Sequence, residues 1–228
     1  LLALPLLGAG LWGYVTTLPM QGHVAIYGGF LSALAIWGWI ELAFLTGQIT
    51  GPMARPCPPG VPEGERFIRA WGTVAYHEML LAFTLIAMLL ASHGAENQFG
   101  MWTFALLFAA RVSAKLNLYL GVRKINVEFI PEHLDHLPSH FRTARMNWLF
   151  PISITGLSVA AAYWLGHVGA AATEAQAVGY ALLGALTVLA LVEHWFMVLP
   201  LPDERLWRWM LPDRPAPTQA ITTSEDAR

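Results

Sequence analysis

The sequence has few charged residues and one cysteine, and both shortages narrow the class of protein. Charged residues make up 12% of the 228 residues, whereas a soluble domain usually carries about 25%. Hydrophobic residues account for 56%, a composition typical of an integral membrane protein. The single cysteine, Cys57, cannot form an internal disulfide or a zinc site by itself, so a structural role is favoured.

Basic patches with interleaved aromatic residues are also absent, and the formal net charge is only -2. Proteins that bind nucleic acid usually carry such patches. The sequence therefore indicates membrane lipids, and no nucleic acid, as the surroundings of this chain.

Long apolar stretches are abundant. A helix needs about 20 mostly apolar residues to cross a bilayer, and six stretches approach or exceed that length. The sequence therefore predicts an all-α, polytopic membrane helix bundle over residues 1–200, with long loops at 47–66 and 123–146. The polar tail, 201–228, is predicted to be partly disordered. The six predicted spans are Leu1–Leu18, His23–Thr46, Phe67–Ser92, Phe99–Val122, Asn147–Gly169 and Ala175–Leu199.

Lysine and arginine residues are distributed asymmetrically. If the spans alternate in direction, both long loops and the tail lie on one side of the membrane. Every Lys and Arg except Arg111 and Lys115 then falls on that side. Because cytoplasmic loops carry the Lys and Arg excess, we expect the long loops and the C-terminus to be cytoplasmic.

Ionisable and polar residues interrupt four of the apolar stretches. Such groups are costly in a bilayer and usually face the interior of a helix bundle. Their positions along the spans place all of them in the middle or in the half nearest the long loops, so they are predicted to meet as a buried polar cluster. The cluster comprises Glu41, His77, Glu78, Arg111, Lys115, Asn117, Glu193 and His194.

Arg111 and Lys115 are four residues apart and therefore share one helix face. Three carboxylates on other spans can oppose these two cations and so fix how the helices pack. One carboxylate would be left over, either protonated or paired with a histidine or a bound cation.

Two other interpretations of the cluster stay open. Three glutamates and two histidines resemble a di-iron ligand set in residue type, but the adjacent pairs His77–Glu78 and Glu193–His194 point about 100° apart. This spacing argues against a transition metal. Alternatively, a neutral imidazole of His77 or His194 ligates the metal of a bound pigment.

The second long loop contains the histidine-rich stretch "FIPEHLDHLPSHF". His133 and His136 share a face if Pro131 opens a short helix, and Pro138 ends that helix before His140. One interpretation is a metal-binding loop. The other is an amphipathic helix lying in the headgroup region, with its apolar face formed by Phe129, Ile130, Leu134, Leu137 and Phe141.

Five motifs stand out by their order and spacing along the chain: "FLTGQITGP", "PCPPG", "AKLNLYLGVRKINVEFIPEHL", "MNWLFP" and "EHWFMVLPLPD…LWRW". Together they resemble the PuhE family, the photosynthetic complex assembly protein 2 of purple-type phototrophic bacteria. The resemblance extends from about Trp37 to Met210. It includes the eight residues of the buried polar cluster and Arg123, Asn126, Glu128 and His133.

The resemblance implies a multi-pass protein of the bacterial inner, intracytoplasmic photosynthetic membrane. The implied partners are reaction-centre and core-antenna subunits, and a bound bacteriochlorophyll or carotenoid is compatible with it. Family members begin with an initiator methionine and a further N-terminal span, so we expect a seventh span before Leu1. They often carry a histidine where this chain has Ile40.

These observations favour an assembly factor or accessory subunit of the reaction centre–core antenna complex over an enzyme. It would stabilise that complex or aid pigment delivery, docking through a cytoplasmic surface that includes Arg123, Lys124, Asn126, Glu128 and His133. The alternatives are a membrane metal-dependent oxidoreductase and a bacteriochlorophyll carrier, both of which would use the buried glutamates and histidines.

Overall fold

The computed structural model describes residues 3–125 and 130–199, and these residues fold into six α-helices. Two short 3₁₀ turns lie in the loop between the fourth and fifth helices, and no β-strand forms in the described part of the chain. The all-α prediction is therefore confirmed. The helices are α1 (Leu4–Thr17), α2 (His23–Leu45), α3 (Glu63–Ala91), α4 (Phe99–Leu120), α5 (Leu149–Ala170) and α6 (Glu174–Phe196).

Five helices, α2 to α6, are long and apolar enough to cross a membrane. The prediction of six spans is confirmed for these five and not for the first, because the described part of α1 has 14 residues. Helix α3 begins at Glu63, four residues before the apolar stretch used to predict it. Glu63 and Glu65 lie in its first turn, where carboxylates interact favourably with the helix dipole.

Helices α2 and α4 form the centre of the bundle. Helix α2 packs against α1, α3, α4 and α6, and α4 packs against α2, α3, α5 and α6. Buried apolar side chains from the first four helices, α1 to α4, pack together in one core. They include Tyr14, Ile36, Ile40, Leu81 and Phe104. The buried Tyr14 hydroxyl donates a hydrogen bond to the carbonyl of Met88 at 2.9 Å. The central position of α2 and α4 explains why charges on these helices can reach several neighbours.

The two long loops lie at the same end of the bundle and contact each other there. The Cys57 amide donates to the Ser139 hydroxyl at 2.9 Å. The ring of His133 packs against the turn at Gly47, where an added Cβ would come within 2.9 Å of it. Together the loops form a layer, which we call the loop layer, over the ends of α2, α3, α4 and α6.

The first long loop folds back against α3 rather than staying outside the bundle. The His77 amide donates to the Thr50 carbonyl, and the Met53 amide donates to the Gly72 carbonyl, each at 3.1 Å. Gly51 makes this approach feasible, because a Cβ at that position would lie 2.1 Å from the Gly72 oxygen. The loop therefore reaches the turn of α3 that carries His77.

The amphipathic-helix prediction for the second long loop is wrong. The loop forms two 3₁₀ turns, Glu132–Leu134 and Leu137–His140. Leu134 and Leu137 are buried against Phe44 rather than facing outward. The physical reason is that Pro138 interrupts a continuous helix, while the exposed end of α2 offers an apolar surface that the leucines cover. Ile130 and Phe141 pack on the same cluster; Phe129 lies outside the described residues.

Helices α2 and α4 approach closely where two glycines face each other. A Cβ on Gly100 would lie 2.7 Å from the Gly29 carbonyl oxygen, a contact that only a backbone shift can relieve. Small residues permit this kind of close packing between membrane helices.

We predict that Gly100→Ala lowers the thermal unfolding midpoint of the detergent-purified protein, because overpacking costs about 1–3 kcal/mol. Gly38→Ala is the matched control, since a Cβ there meets nothing within 4 Å. Equal midpoints for the two variants would contradict the close α2–α4 contact.

Candidate functional site

Two ion pairs join neighbouring helices inside the bundle. Arg111 on α4 donates to the Glu41 carboxylate on α2 at 3.0 Å. One turn further along α4, Lys115 forms an ion pair with Glu78 on α3. Lys115 also lies 5.5 Å from the centre of the Phe44 ring. These pairs connect α4 with both α2 and α3, so each cation fixes the position of a different neighbour.

His77 lies beside the first ion pair and is fully buried. Its Nε2 is 3.6 Å from Glu41 Oε1, and its ring packs against Phe44 with centroids 4.6 Å apart. Neither ring nitrogen has a hydrogen-bond partner. Since its neighbour Glu78 points to Lys115 instead, the two adjacent residues serve different helix contacts.

His194 belongs to a second polar network, on the other side of α4. Its Nε2 lies 2.9 Å from the Ser113 hydroxyl, which in turn lies 2.9 Å from the Ser153 hydroxyl. The Asn117 amide donates to Ser153 at 2.9 Å. The network therefore joins α4, α5 and α6, and both His194 and Asn117 are fully buried within it.

One hydrogen bond of His194 has a fixed direction. His194 Nδ1 lies 2.8 Å from the Ala190 carbonyl, which can only accept, so Nδ1 carries a proton. Nε2 is hydrogen-bonded to the Ser113 hydroxyl, and Ser113 is in turn hydrogen-bonded to Ser153. Both ring nitrogens of His194 are thereby engaged within the protein.

Asn147 extends the network to the start of α5. Its amide donates to the Asn117 side-chain oxygen at 3.0 Å and to the Gly121 carbonyl at 2.8 Å. Its own side-chain oxygen accepts from the amides of Leu149 and Phe150, which are free at the beginning of a helix. One side chain thus links the end of α4 to the beginning of α5.

Glu193 is separate from the two ion pairs. It is exposed, and within the part of the chain that the structure describes it forms no ion pair. Both Glu193 and Arg111 line two cavities, one on either side of them. Of the three glutamates in the predicted cluster, Glu193 is therefore the one left without a cation.

The larger of the two cavities, about 390 Å³, lies beneath the loop layer. We call it the loop-side cavity. Its walls are mostly apolar and include Phe44 and Phe141, while Arg111, Lys115 and Lys124 provide positive charge. Ligand-binding cavities commonly have 300–1,000 Å³ and combine apolar walls with a few polar groups, so this space is suited to a small amphipathic molecule.

The second cavity, about 340 Å³, is a groove between α2, α4 and α6. We call it the interhelical groove. Its lining includes Trp37, Leu107 and Leu189, and it lies further from the loop layer than the first cavity. Arg111 and Glu193 stand at the junction of the two spaces.

Metal-ligating residues do not converge in residues 3–125 and 130–199: no group of three or more His, Cys, Asp or Glu is placed to hold one ion. The loop histidines separate as well. His133 is exposed, whereas His140 is buried with Nδ1 3.2 Å from the His136 carbonyl. Burial lowers the pKa of the His140 and His136 imidazoles, so both are neutral at pH 7.

Three of the five predicted docking residues, Arg123, Lys124 and His133, lie in or beside the loop layer. Arg123 and His133 are exposed, and the Lys124 amide donates to the Met197 carbonyl at the end of α6. Asn126 and Glu128 lie outside the described residues. The exposed surface therefore includes Arg123 and His133, while Lys124 helps to anchor the loop through its backbone.

A cluster around Arg66 was not anticipated. Its guanidinium donates to the carbonyls of His140 and Tyr119 and lies 3.8 Å from the centre of the Tyr119 ring. Glu63 bonds to both Arg66 and Arg142. The signal was present in the sequence as the i,i+3 pair of Glu63 and Arg66, but its partners are remote in the chain.

Ser113 and Asn147 were also missed. Charged residues and histidines stand out within an apolar span, whereas single serines are common in membrane helices, so Ser113 gave no distinctive signal. The stretch "MNWLFP" signalled a helix start, and an asparagine before a helix often accepts hydrogen bonds from the first free amides.

Residues 1–218 match the family described as a protein of unknown function, DUF3623. The chain belongs to this family. A protein from Rhodobacter capsulatus, described as an uncharacterized 30.4 kDa protein in the puhA 5′ region, is 53% identical over 199 residues. The aligned part covers 87% of this chain and 71% of that protein. No solved structure matches the chain.

The motif resemblance implied that relatives often carry a histidine at the position that Ile40 occupies in this DUF3623 protein. Ile40 is 1% exposed and packs in the apolar core. This position therefore contributes apolar packing here, next to the Glu41–Arg111 pair.

We predict that Lys115→Met lowers the abundance of the protein in membranes, because the change leaves the Glu78 carboxyl without its cation. The pair is partly buried, and breaking a buried pair in this way costs roughly 3 kcal/mol. Abundance is measured by quantitative immunoblot. The double variant Lys115→Met/Glu78→Gln removes both charges and is expected to recover part of the loss. Normal abundance of Lys115→Met would contradict the structural role of this pair.

Proposed function

We propose that this protein is a non-enzymatic assembly factor or accessory subunit of the photosynthetic reaction centre–core antenna complex, as the PuhE resemblance implies. The observation that carries the proposal is the relative from Rhodobacter capsulatus, whose description puts it in the puhA 5′ region. That region is a photosynthesis gene region. The motif resemblance and the relative therefore both favour a photosynthesis-related role.

The interior of the bundle supports a structural rather than a catalytic use of the buried polar groups. Glu41, Glu78, Arg111 and Lys115 are paired across helices. The second network uses both ring nitrogens of His194. Groups engaged in this way hold helices in position and have little remaining capacity for acid–base chemistry.

The arrangement of the chain fits a multi-pass protein of the photosynthetic membrane. Five helices are long and apolar enough to span, and the arginine-rich loops share one end. By the positive-inside rule, we propose that the loop layer faces the cytoplasm. Arg123 and His133 would then be available to a cytoplasmic surface of the partner complex or to anionic headgroups.

The outer face of α3 is a second surface suited to a partner within the membrane. Large side chains recur there at helical spacing and are exposed along the whole helix, including Ile68, Trp71, Phe83 and Leu90. Either lipid or the helices of a reaction-centre or antenna subunit would cover such a stripe.

The pigment-carrier alternative now depends mainly on His77. Its two unpartnered ring nitrogens are the observation that favours it, whereas both nitrogens of His194 are occupied. A bound bacteriochlorophyll or carotenoid stays a prediction. For the metal-dependent oxidoreductase alternative, the described residues provide no group of three or more metal ligands.

The proposal is tested by isolating the tagged full-length protein from phototrophic membranes in a mild detergent. Co-purifying polypeptides are quantified by mass spectrometry, and an absorption spectrum is recorded into the near infrared. We expect reaction-centre and core-antenna polypeptides in a fixed ratio. Protein that carries a single pigment without those polypeptides would favour the carrier, and protein with neither would contradict both.

We further predict that Arg123→Glu lowers the yield of co-purified polypeptides several-fold while the abundance of the protein stays unchanged, because charge reversal at a rim contact weakens association. Arg55→Glu is the matched control: Arg55 is also an exposed loop arginine but lies in the other loop. Equal yields for the two variants would remove Arg123 from the docking surface.

A further inference from the structure

Glu193 and the two cavities beside it are not explained by the proposed function. The loop-side cavity and the interhelical groove share two charged residues, Arg111 and Glu193. One space is capped by the loop layer, and the other is lined by apolar side chains of three membrane helices. Together they form a site with a polar junction and an apolar extension.

Arg111 and Glu193 lie at about the same depth in the bundle. The Ser113 hydroxyl contacts His194, and these residues are the near neighbours of Arg111 and Glu193 on α4 and α6. The groove residues Leu107 and Leu186 lie further from the loop layer on the same two helices. A molecule occupying both spaces would therefore have its polar end towards the loops and its apolar end towards the middle of the bundle.

The charges at this junction do not balance. Glu41 and Glu78 each have a cation, whereas Glu193 has none among the described residues. At the same time, Arg111 and Lys115 have N–H donors beyond those used in their ion pairs, and Arg111 Nε has no partner. An occupant that completes the site needs a positive donor for Glu193 and an anionic acceptor for the two cations.

We propose that the site binds one phospholipid with a zwitterionic ammonium headgroup. The ammonium group pairs with Glu193, the phosphate accepts from Arg111 and Lys115, and an acyl chain lies in the interhelical groove. A phospholipid with an anionic headgroup supplies the phosphate but leaves Glu193 uncompensated. The charge pattern therefore selects phosphatidylethanolamine over phosphatidylglycerol. The proposal does not depend on the photosynthetic role, because it concerns the isolated protein.

The headgroup interaction is tested by native mass spectrometry of the purified full chain, delipidated and then mixed with phosphatidylethanolamine or phosphatidylglycerol. We expect one phosphatidylethanolamine per chain, retained at least about tenfold better than phosphatidylglycerol, the effect of one charge-assisted hydrogen bond. Glu193→Gln should abolish this preference. Glu174→Gln, at the opposite end of α6, is the control and should leave it unchanged.

The groove is tested separately, because a headgroup preference alone does not locate the chain. Ala190 is a partly buried residue that lines the groove, so Ala190→Trp should block the acyl chain and lower retention of phosphatidylethanolamine several-fold. Val188→Trp, on the same helix outside the groove, should retain it. The proposal would be overturned if the protein retained both lipids equally well. It would also be overturned if Ala190→Trp and Val188→Trp retained phosphatidylethanolamine equally well, or if a co-purifying pigment stayed in the groove when either lipid was added.

Discussion

The structure depends on two cations placed one turn apart on a single apolar helix. Arg111 and Lys115 bond to carboxylates on two different neighbouring helices, so α4 fixes the positions of α2 and α3 at once. Apolar side chains alone would not do this, because lipid and leucine are equally apolar and helix association in a bilayer relies on close packing and polar contacts. A charge in a spanning helix is unfavourable without a partner, and that penalty makes the observed arrangement specific.

A second network completes the bundle on the other face of α4 and contains no carboxylate, lysine or arginine. Hydrogen bonds among Ser113, Ser153, Asn117 and His194 join α4 to α5 and α6, while Asn147 continues the chain of bonds to the loop layer. The ion pairs therefore fix the central helices, and this hydrogen-bond network holds the outer pair. Glu193 is the group that neither system uses, and it stands where two cavities meet.

Sequence reasoning predicted the long helices well, because hydropathy over about 20 residues reports directly on membrane spanning. It also placed Arg111 and Lys115 on one face. It could not decide that Glu41 faces Arg111 while Glu78 faces Lys115, since helix order around a bundle is not encoded in periodicity.

The contact of the first loop with α3 at Gly51 was not predictable either, because a contact between two backbone segments leaves only a glycine as its signal in the sequence. In the second loop, Leu134 and Leu137 have the pattern of an amphipathic helix, but burial against Phe44 and the presence of Pro138 determined a different structure.

The central claim is that the buried charges are architectural, and a charge exchange tests it most directly. The variants are Glu41→Arg, Arg111→Glu and the double exchange, each purified in the same detergent and compared by thermal unfolding. Each single change places two like charges about 3 Å apart and is expected to leave little folded protein. The double exchange restores an attractive pair and should recover most of the folded fraction. A double variant as depleted as the singles, or single variants that unfold like the wild-type protein, would contradict the claim.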